Sequence, residues 1–383
     1  MSETITVEWS EADEVRSARW RSESGTPPPK RIVIADDTTT ADTAHRLASE
    51  GTALLWRGDF QNARQLMQAL VRRVDRKPER SGKKRHQAPV SLTEAFHKYR
   101  MGQAQRARIL GNILIPFDAG HVIPLRRAPD VALACQEAHG DANEPYLASL
   151  RELQGLIGAH EWRKKGVEIP VLNARIHPHY GVFSPVRGEY LDLIAQTSLP
   201  AAVKTGQAFD IGTGTGVIAA LLAHRGVQKI IATDSDPRAL ACAHDNFSRL
   251  GLQKRVTLLE QDMFPKGRAA LVVCNPPWLP GRPASPIEHA IYDADSRMLT
   301  SFLSGLAAHL EPGGEGWLIL SDLAELLGLR TREWLLETIA AAGLKVLGRQ
   351  DIKPRHGKAQ DEEDPLHAAR SAEVTSLWRL RGA

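Results

Sequence analysis

The stretch Phe209-Asp210-Ile211-Gly212-Thr213-Gly214-Thr215-Gly216 constrains this chain more than any other. An apolar approach precedes it, and Val217-Ile218-Ala219-Ala220-Leu221-Leu222-Ala223, a run of good helix formers, follows it. The pattern predicts a strand, a glycine loop and a helix. A loop stripped of side chains can turn sharply, take positive φ and let a ligand lie against its main chain. The helix behind it directs free N–H groups and the positive end of its dipole at that ligand.

Further elements follow at suitable distances. Lys229-Ile230-Ile231-Ala232-Thr233-Asp234 reads as the next strand. Asp234 closes it about twenty residues after the loop, where an acid accepts hydrogen bonds from the hydroxyls of a ribose. Asp236 is expected to cap the helix that opens at Pro237. After the strand at 255–259 comes Glu260-Gln261-Asp262-Met263-Phe264. A carboxylate there could accept the exocyclic amine of an adenine while Met263 packs on the ring; the plain alternative is a solvated strand end. Last, the buried-strand pattern Ala270-Leu271-Val272-Val273-Cys274 ends in Asn275-Pro276-Pro277-Trp278. Two prolines fix two φ angles and remove two donors, and they hold Asn275 extended. The product is a stiff lip with an amide, outward carbonyls and an indole, able to accept both hydrogens of a planar NH2 group while Trp278 stacks on its plane.

The order Asp210-x-Gly212-x-Gly214-x-Gly216, Asp234, Asp262, Asn275-Pro276-Pro277-Trp278 resembles the class I S-adenosylmethionine-dependent methyltransferases. Within them it resembles the branch that methylates amide or exocyclic nitrogens, which includes release-factor glutamine, ribosomal RNA guanine and adenine amine methyltransferases. The resemblance covers residues 180–383. It implies a Rossmann-like seven-stranded α/β sheet with the last strand inserted antiparallel, and S-adenosylmethionine as methyl donor. It assigns Asp210, Gly212, Thr213, Gly214, Gly216, Asp234, Asp262 and Met263 to the donor. Asn275, Pro276, Pro277 and Trp278 go to the target nitrogen. Residues 181–187 correspond to the stretch that closes over the donor, but they lack the acidic pattern of the glutamine methyltransferases.

At 383 residues the chain has room for two domains. The expected division is an N-terminal α/β accessory domain over 1–165, presenting the substrate, and a methyltransferase domain over 166–383. No apolar run approaches a membrane span, and the polar N-terminus reads as lacking a signal peptide. Cys135, Cys242 and Cys274 have no paired spacing, which suits a reducing cytoplasm and no structural zinc. His177 and His179 have no third ligand in reach by spacing, so they are read as a structural or substrate-side loop rather than a metal site.

In the N-terminal half, residues 1–30 end in Gly25-Thr26-Pro27-Pro28-Pro29 and read as a loose arm or an edge element. Strands are expected at 30–35 and at Ala53-Leu54-Leu55-Trp56, and helices at 43–49, 59–74, 91–110 and 143–160. Phe60, Ala63, Leu66, Met67 and Leu70 share one helix face and read as core. Basic groups cluster at 72–85, at His97, Lys98, Arg100, Arg106 and Arg108 among Phe96 and Tyr99, at Arg126-Arg127, and at Arg163-Lys164-Lys165. The acidic run Asp361-Glu362-Glu363-Asp364 lies far off. With a net charge of +4 and a pI of about 9.0, this asymmetry favours RNA or a ribosomal particle as partner. Each cluster also has a plain reading as a solvated face. A protein glutamine substrate is the alternative. An NAD oxidoreductase is disfavoured, because the glycine spacing departs from G-x-G-x-x-G, and so is an inactive RNA-binding relic, because Asp210, Asn275 and Trp278 are intact.

Towards the C-terminus the expected order is a Pro-rich loop at 281–296 where a target would enter, a helix at 298–310, a turn at Pro312-Gly313-Gly314 and a strand at 316–321. A helix at 330–342, a strand at 344–352, a long loop at 353–369 and a strand at 373–380 complete it.

Overall fold

Apolar runs alternating with helical stripes assemble into two main sheets in a computed structural model of the chain, which describes residues 5–76, 91–186, 188–283, 285–354 and 360–383. The chain divides into two compact units, Met1–Val90 with His97–Glu161, and Ser91–Phe96 with Trp162–Ala383.

The first unit holds a mixed sheet of β1 (Thr6–Glu11), β2 (Glu14–Trp20), β3 (Ile32–Ala35), β4 (Ala53–Trp56), β5 (Ile113–Phe117) and β6 (Tyr146–Ser149), in the order β1-β2-β6-β5-β4-β3. Its helices are α1 (Ala41–Ser49), α2 (Phe60–Val74), α3 (Leu92–Leu110), α4 (Ala132–His139) and α5 (Leu150–Lys165), the first residues of α3 and the last of α5 falling in the second unit. The polar arm at the start is an antiparallel hairpin, with β1 the sheet edge. Buried Phe60, Ala63, Leu66, Met67 and Leu70 form the core stripe of α2, as their spacing requires. The helix expected at 143–160 is corrected: Tyr146–Ser149 is a fully buried strand, and the helix begins at Leu150. An aromatic, aliphatic run paired on both sides prefers the sheet over a capped helix start. Phe96 is buried, not displayed beside the basic groups of α3.

The second unit holds β9 (Ala208–Ile211), β10 (Ile230–Asp234), β11 (Val256–Glu260), β12 (Ala269–Cys274), β15 (Leu310–Ser321), β16 (Leu344–Ile352) and β17 (Thr375–Gly382), in the order β11-β10-β9-β12-β15-β17-β16. All pairs are parallel except those of β17, which runs antiparallel to β15 and β16. Side chains alternate faces with period two. Ala208, Leu271, Val273, Trp317 and Ile319 join one core with α6 (Glu189–Gln196), α7 (Val217–His224) and α8 (Pro237–Arg249). Phe209, Ile211, Val272, Cys274, Leu318 and Leu320 join another with α9 (Arg297–His309) and α11 (Arg332–Ala341), the short α10 (Leu323–Leu326) lying between these two helices in the chain. Helices thus cover both faces of a Rossmann-like doubly wound sheet.

Smaller ladders pair β7 (Val167–Ile169) with β8 (Ala174–Ile176), and β13 (Leu279–Pro280) with β14 (Tyr292–Asp293), so the region expected as a Pro-rich loop is partly laddered. Pro312-Gly313-Gly314 sits inside β15 as a register shift, with Gly313 at φ 76°. Of the loop expected at 353–369, residues 355–359 lie outside the described residues, and its last three residues belong to a helix, α12 (His367–Ala372). No helix among the described residues is long and apolar enough to cross a membrane.

Candidate functional site

Strand order reverses direction between β9 and β12, and in doubly wound sheets the carboxyl ends at such a point form a crevice. The register pairs Ile211 with Cys274, so the glycine loop and the Asn-Pro-Pro-Trp lip leave adjacent strands side by side.

The loop takes positive φ at Gly212 (71°), Gly214 (55°) and Gly216 (81°). A Cβ on Gly212 would lie 2.5 Å from Met298 Cε, and one on Gly216 would lie 2.7 Å from the Phe247 ring. At Gly214 a Cβ would meet nothing within 4 Å, so the main chain there faces open space. Several loop donors are already spent. Gly212 and Thr213 N–H both donate to the Thr233 carbonyl, and Gly214 N–H donates to Asp234 Oδ2 at 2.9 Å.

Asp210 is fully buried beneath the loop. Its Oδ2 accepts from Thr213 Oγ1 at 2.6 Å and from Ala219 N–H at 3.0 Å, so one first-turn donor of α7 is turned inward. Its Oδ1 is buried with no partner. Burial pushes its pKa up to about 7, against the lowering effect of those two bonds. A buried carboxylate with an empty acceptor fits a cationic group placed over the loop. Thr213, expected at the donor, spends its hydroxyl on Asp210.

Asp234 ends β10 with Oδ2 on Gly214 N–H and Oδ1 on Asp236 N–H at 3.0 Å, and burial raises its pKa. Asp236 caps α8 through Arg238 N–H, as its place before Pro237 suggests. Asp262 is exposed and pairs with Arg297 at 3.1 Å. Met263 has φ 67°, packs against the core and accepts from Thr233 Oγ1 through its carbonyl.

In the lip, Trp278 Nε1 donates to Asn275 Oδ1 at 2.9 Å. The indole nitrogen only donates, so this bond fixes which end of the amide is oxygen. Trp278 is half-buried and packs against the cores of both sheet faces. Pro276 is buried and Pro277 half-buried.

Two contributors escape a reading by motif. Asn246 is buried on α8; its Oδ1 accepts His177 N–H at 2.7 Å and its Nδ2 donates to the Thr215 carbonyl at 3.0 Å. It thereby ties the segment before the loop to the loop itself. Its signal was a polar residue in the buried stripe Ala239, Cys242, Ala243, Phe247. Asp293 is buried and accepts from Met298 and Leu299 N–H at 3.1 Å each, fixing the start of α9 and the Met298 side chain that abuts Gly212. His177 Nδ1 meets the Arg163 carbonyl at 2.6 Å and His179 Nε2 meets Asp245 at 3.3 Å. No cluster of three metal-ligating side chains occurs among the described residues.

The basic clusters are largely engaged. Arg73 pairs with Asp42, Arg106 holds Asp75 through two bonds, and Arg126 and Arg127 share Asp59. Most of the run at 72–85 lies outside the described residues.

Residues 173–326 match the family model described as methyltransferase small domain. Similar curated proteins include the release factor glutamine methyltransferase of Cereibacter sphaeroides, 32% identical over 38% of this chain and 56% of the relative. A putative protein N5-glutamine methyltransferase of Methanocaldococcus jannaschii is 28% identical over 41% of this chain and 80% of the relative. The tRNA1(Val) (adenine(37)-N6)-methyltransferase of Shewanella loihica is 28% identical over 43% of this chain and 70% of the relative. The chain spans about half the length of the first of these, 56%.

Proposed function

We propose that the C-terminal unit, a class I S-adenosylmethionine-dependent methyltransferase domain, moves a methyl group onto a planar NH2 nitrogen, and that the nitrogen belongs to RNA. The observation that carries the reaction class is the adjacency of an Asn-Pro-Pro-Trp lip and a glycine loop at the switch point of the sheet. S-adenosylmethionine, when bound, supplies an activated methyl group on a sulfonium with a neutral leaving group.

The residues that would hold the donor fit its chemistry. Asp210 offers an unpartnered buried oxygen to an ammonium, Gly214 offers open main chain, and Asp234 offers its remaining lone pairs to ribose hydroxyls. Asp262 and Met263 lie at the end of β11, where the adenine would be read.

The target nitrogen is a poor nucleophile because its lone pair is delocalised. Asn275 Oδ1 keeps a free lone pair beside the one Trp278 uses, and the Pro276 carbonyl, on a proline-fixed backbone, is the second acceptor. Accepting both N–H groups favours pyramidalisation and stabilises positive charge growing on nitrogen, an effect made only in the transition state. Trp278 holds the Asn275 amide and offers a face to the target plane. The chain's task is alignment and exclusion of water rather than nucleophilic attack by its own side chains.

RNA as substrate is supported by the basic pI and by the named specificity of the Shewanella relative. The glutamine amide remains a second reading, supported by the names of the Cereibacter and Methanocaldococcus relatives. Incubating the protein with methyl-labelled donor and cell extract, then separating RNA from protein, tests both. Label in RNA is expected. Label in protein alone would replace RNA by glutamine, and no label in either would remove methyl transfer.

A further inference from the structure

Resting on the RNA reading above, we infer that Arg126 and Arg127, locked onto the first turn of α2, form a rigid guanidinium pair that grips a phosphodiester of an RNA backbone. Four bonds make the lock. The Arg126 carbonyl accepts Phe60 N–H at 3.0 Å, and the Arg127 carbonyl accepts Gln61 Nε2 at 3.1 Å. The Nε atoms of Arg126 and Arg127 donate back to one oxygen, Asp59 Oδ2, at 2.9 and 2.6 Å. Arg127 is held at φ 55°, a left-handed conformation that L residues rarely adopt.

This is more than a cap needs. Asp59 already caps α2 through Gln61 N–H, and its side chain is buried, so one arginine would neutralise it. The second leaves a surplus positive charge. Each arginine spends only its Nε on the carboxylate. Among the described residues no acceptor is bonded to the Nη1 or Nη2 of either, and the side chains are 75% and 59% exposed. The forked ends, which match phosphate oxygens two by two, are therefore free while the stems are fixed. Arg64 extends the array, because its Nη1 donates to Gln61 Oε1 and it stands exposed one turn along α2. The opposing charge is Asp37, whose Oδ1 accepts Asp59 N–H and Asn62 Nδ2. Three guanidiniums against two carboxylates leave the patch positive. Pre-fixed stems lower the side-chain entropy lost on binding, which separates this pair from ordinary surface arginines.

The test is binding of a short fluorescein-labelled single-stranded RNA of mixed sequence to the full chain, by anisotropy from about 50 to about 200 mM salt. Arg126→Gln leaves Arg127 on Asp59, so the cap survives; a thermal midpoint matching wild type checks this. Loss of one phosphate contact is expected to lower affinity severalfold and to reduce the slope of log affinity against log salt by about 0.7. Arg64→Gln is expected to act in the same direction. Arg73→Gln, whose guanidinium is spent on Asp42 and the Ala69 carbonyl, is the comparison and is expected to change little. Wild-type binding with Arg126→Gln unchanged in affinity and slope would overturn the guanidinium pair alone. Failure of the wild type to bind RNA would overturn the RNA reading and the pair with it.

Discussion

Trp278 Nε1 reaches Asn275 Oδ1 at 2.9 Å, so the indole orients the amide it follows by three residues. Removing only that N–H should therefore act through Asn275. Trp278→Phe keeps an aromatic ring against both cores but frees the amide to rotate. Turnover is expected to fall about tenfold, the worth of one hydrogen bond of typical strength. Donor affinity, measured by calorimetric titration, is expected to stay near wild type. A variant that turns over at the wild-type rate would separate the two residues.

Asn275→Ala removes the acceptor proposed to act in the transition state. The expected loss in turnover is on the order of 100- to 1000-fold, with donor binding near normal. Calorimetry beside a methyl-transfer assay distinguishes this from collapse of the site: equal loss of both would show that Asn275 supports the donor pocket instead.

The central sheet was legible because its strands are short apolar runs ended by Asp234, Asn275 and the glycine loop, signals that lie within a few residues of one another. What stayed hidden depends on distant partners. Tyr146–Ser149 reads as a helix start beside Pro145, yet it becomes a strand because β2 and β5 flank it. β5 carries Pro116, which argues against an interior strand. The ladder of β5 to β4 ends at Leu114, so Pro116 is paired on one side only and its missing N–H costs nothing there. In the site, glycines and the lip announce themselves by composition. Asn246 lies 31 residues from Thr215, and Arg126 and Arg127 lie 67 and 68 from Asp59, on different elements, so no spacing rule links them. Thr213 is only three residues from Asp210, but spacing alone does not say whether its hydroxyl turns to that carboxylate or to a ligand.

Asp210 is expected to limit the stability of the ligand-free protein. Its folded pKa, about 7, lies above the 3.8 of the exposed group. A group raised in this way contributes stability that is fully present below pH 3.8 and lost as pH rises through 7. At about 1.4 kcal/mol per unit, the loss by pH 8 is on the order of 4 kcal/mol. Asp210→Asn keeps an acceptor for Thr213 and Ala219 but has no charge to bury, and its unpaired amide gives back about 1–3 kcal/mol. The free variant should therefore melt higher than wild type at pH 8, lose the decline between pH 4 and 7, and bind donor poorly. A lower melting point at pH 8 would contradict the buried, unpartnered charge.

Asp234 secures Gly214 through its Oδ2, and the proposed donor site gives its remaining lone pairs to the ribose. Asp234→Ala is expected to weaken donor affinity by about 10- to 100-fold, as for loss of a charged hydrogen bond, and to slow turnover less at saturating donor. Unchanged affinity in calorimetry would take Asp234 out of the donor site.

Gly214 and Gly216 both have positive φ, yet their surroundings separate the effects of adding a methyl group. Gly216→Ala would combine left-handed strain of about 1–2 kcal/mol with overpacking against Phe247, a further 1–3 kcal/mol. The expected cost to the fold is about 2–5 kcal/mol, a drop of several degrees in melting temperature. Gly214→Ala meets no protein atom within 4 Å, so its cost is the strain alone. Its methyl group would occupy the open space in which the donor is proposed to lie. The pair should therefore rank oppositely in two measurements: Gly216→Ala lower in thermal stability, and Gly214→Ala lower in donor affinity relative to its stability loss. If Gly214→Ala binds donor as wild type does, the donor does not lie against that turn of the loop.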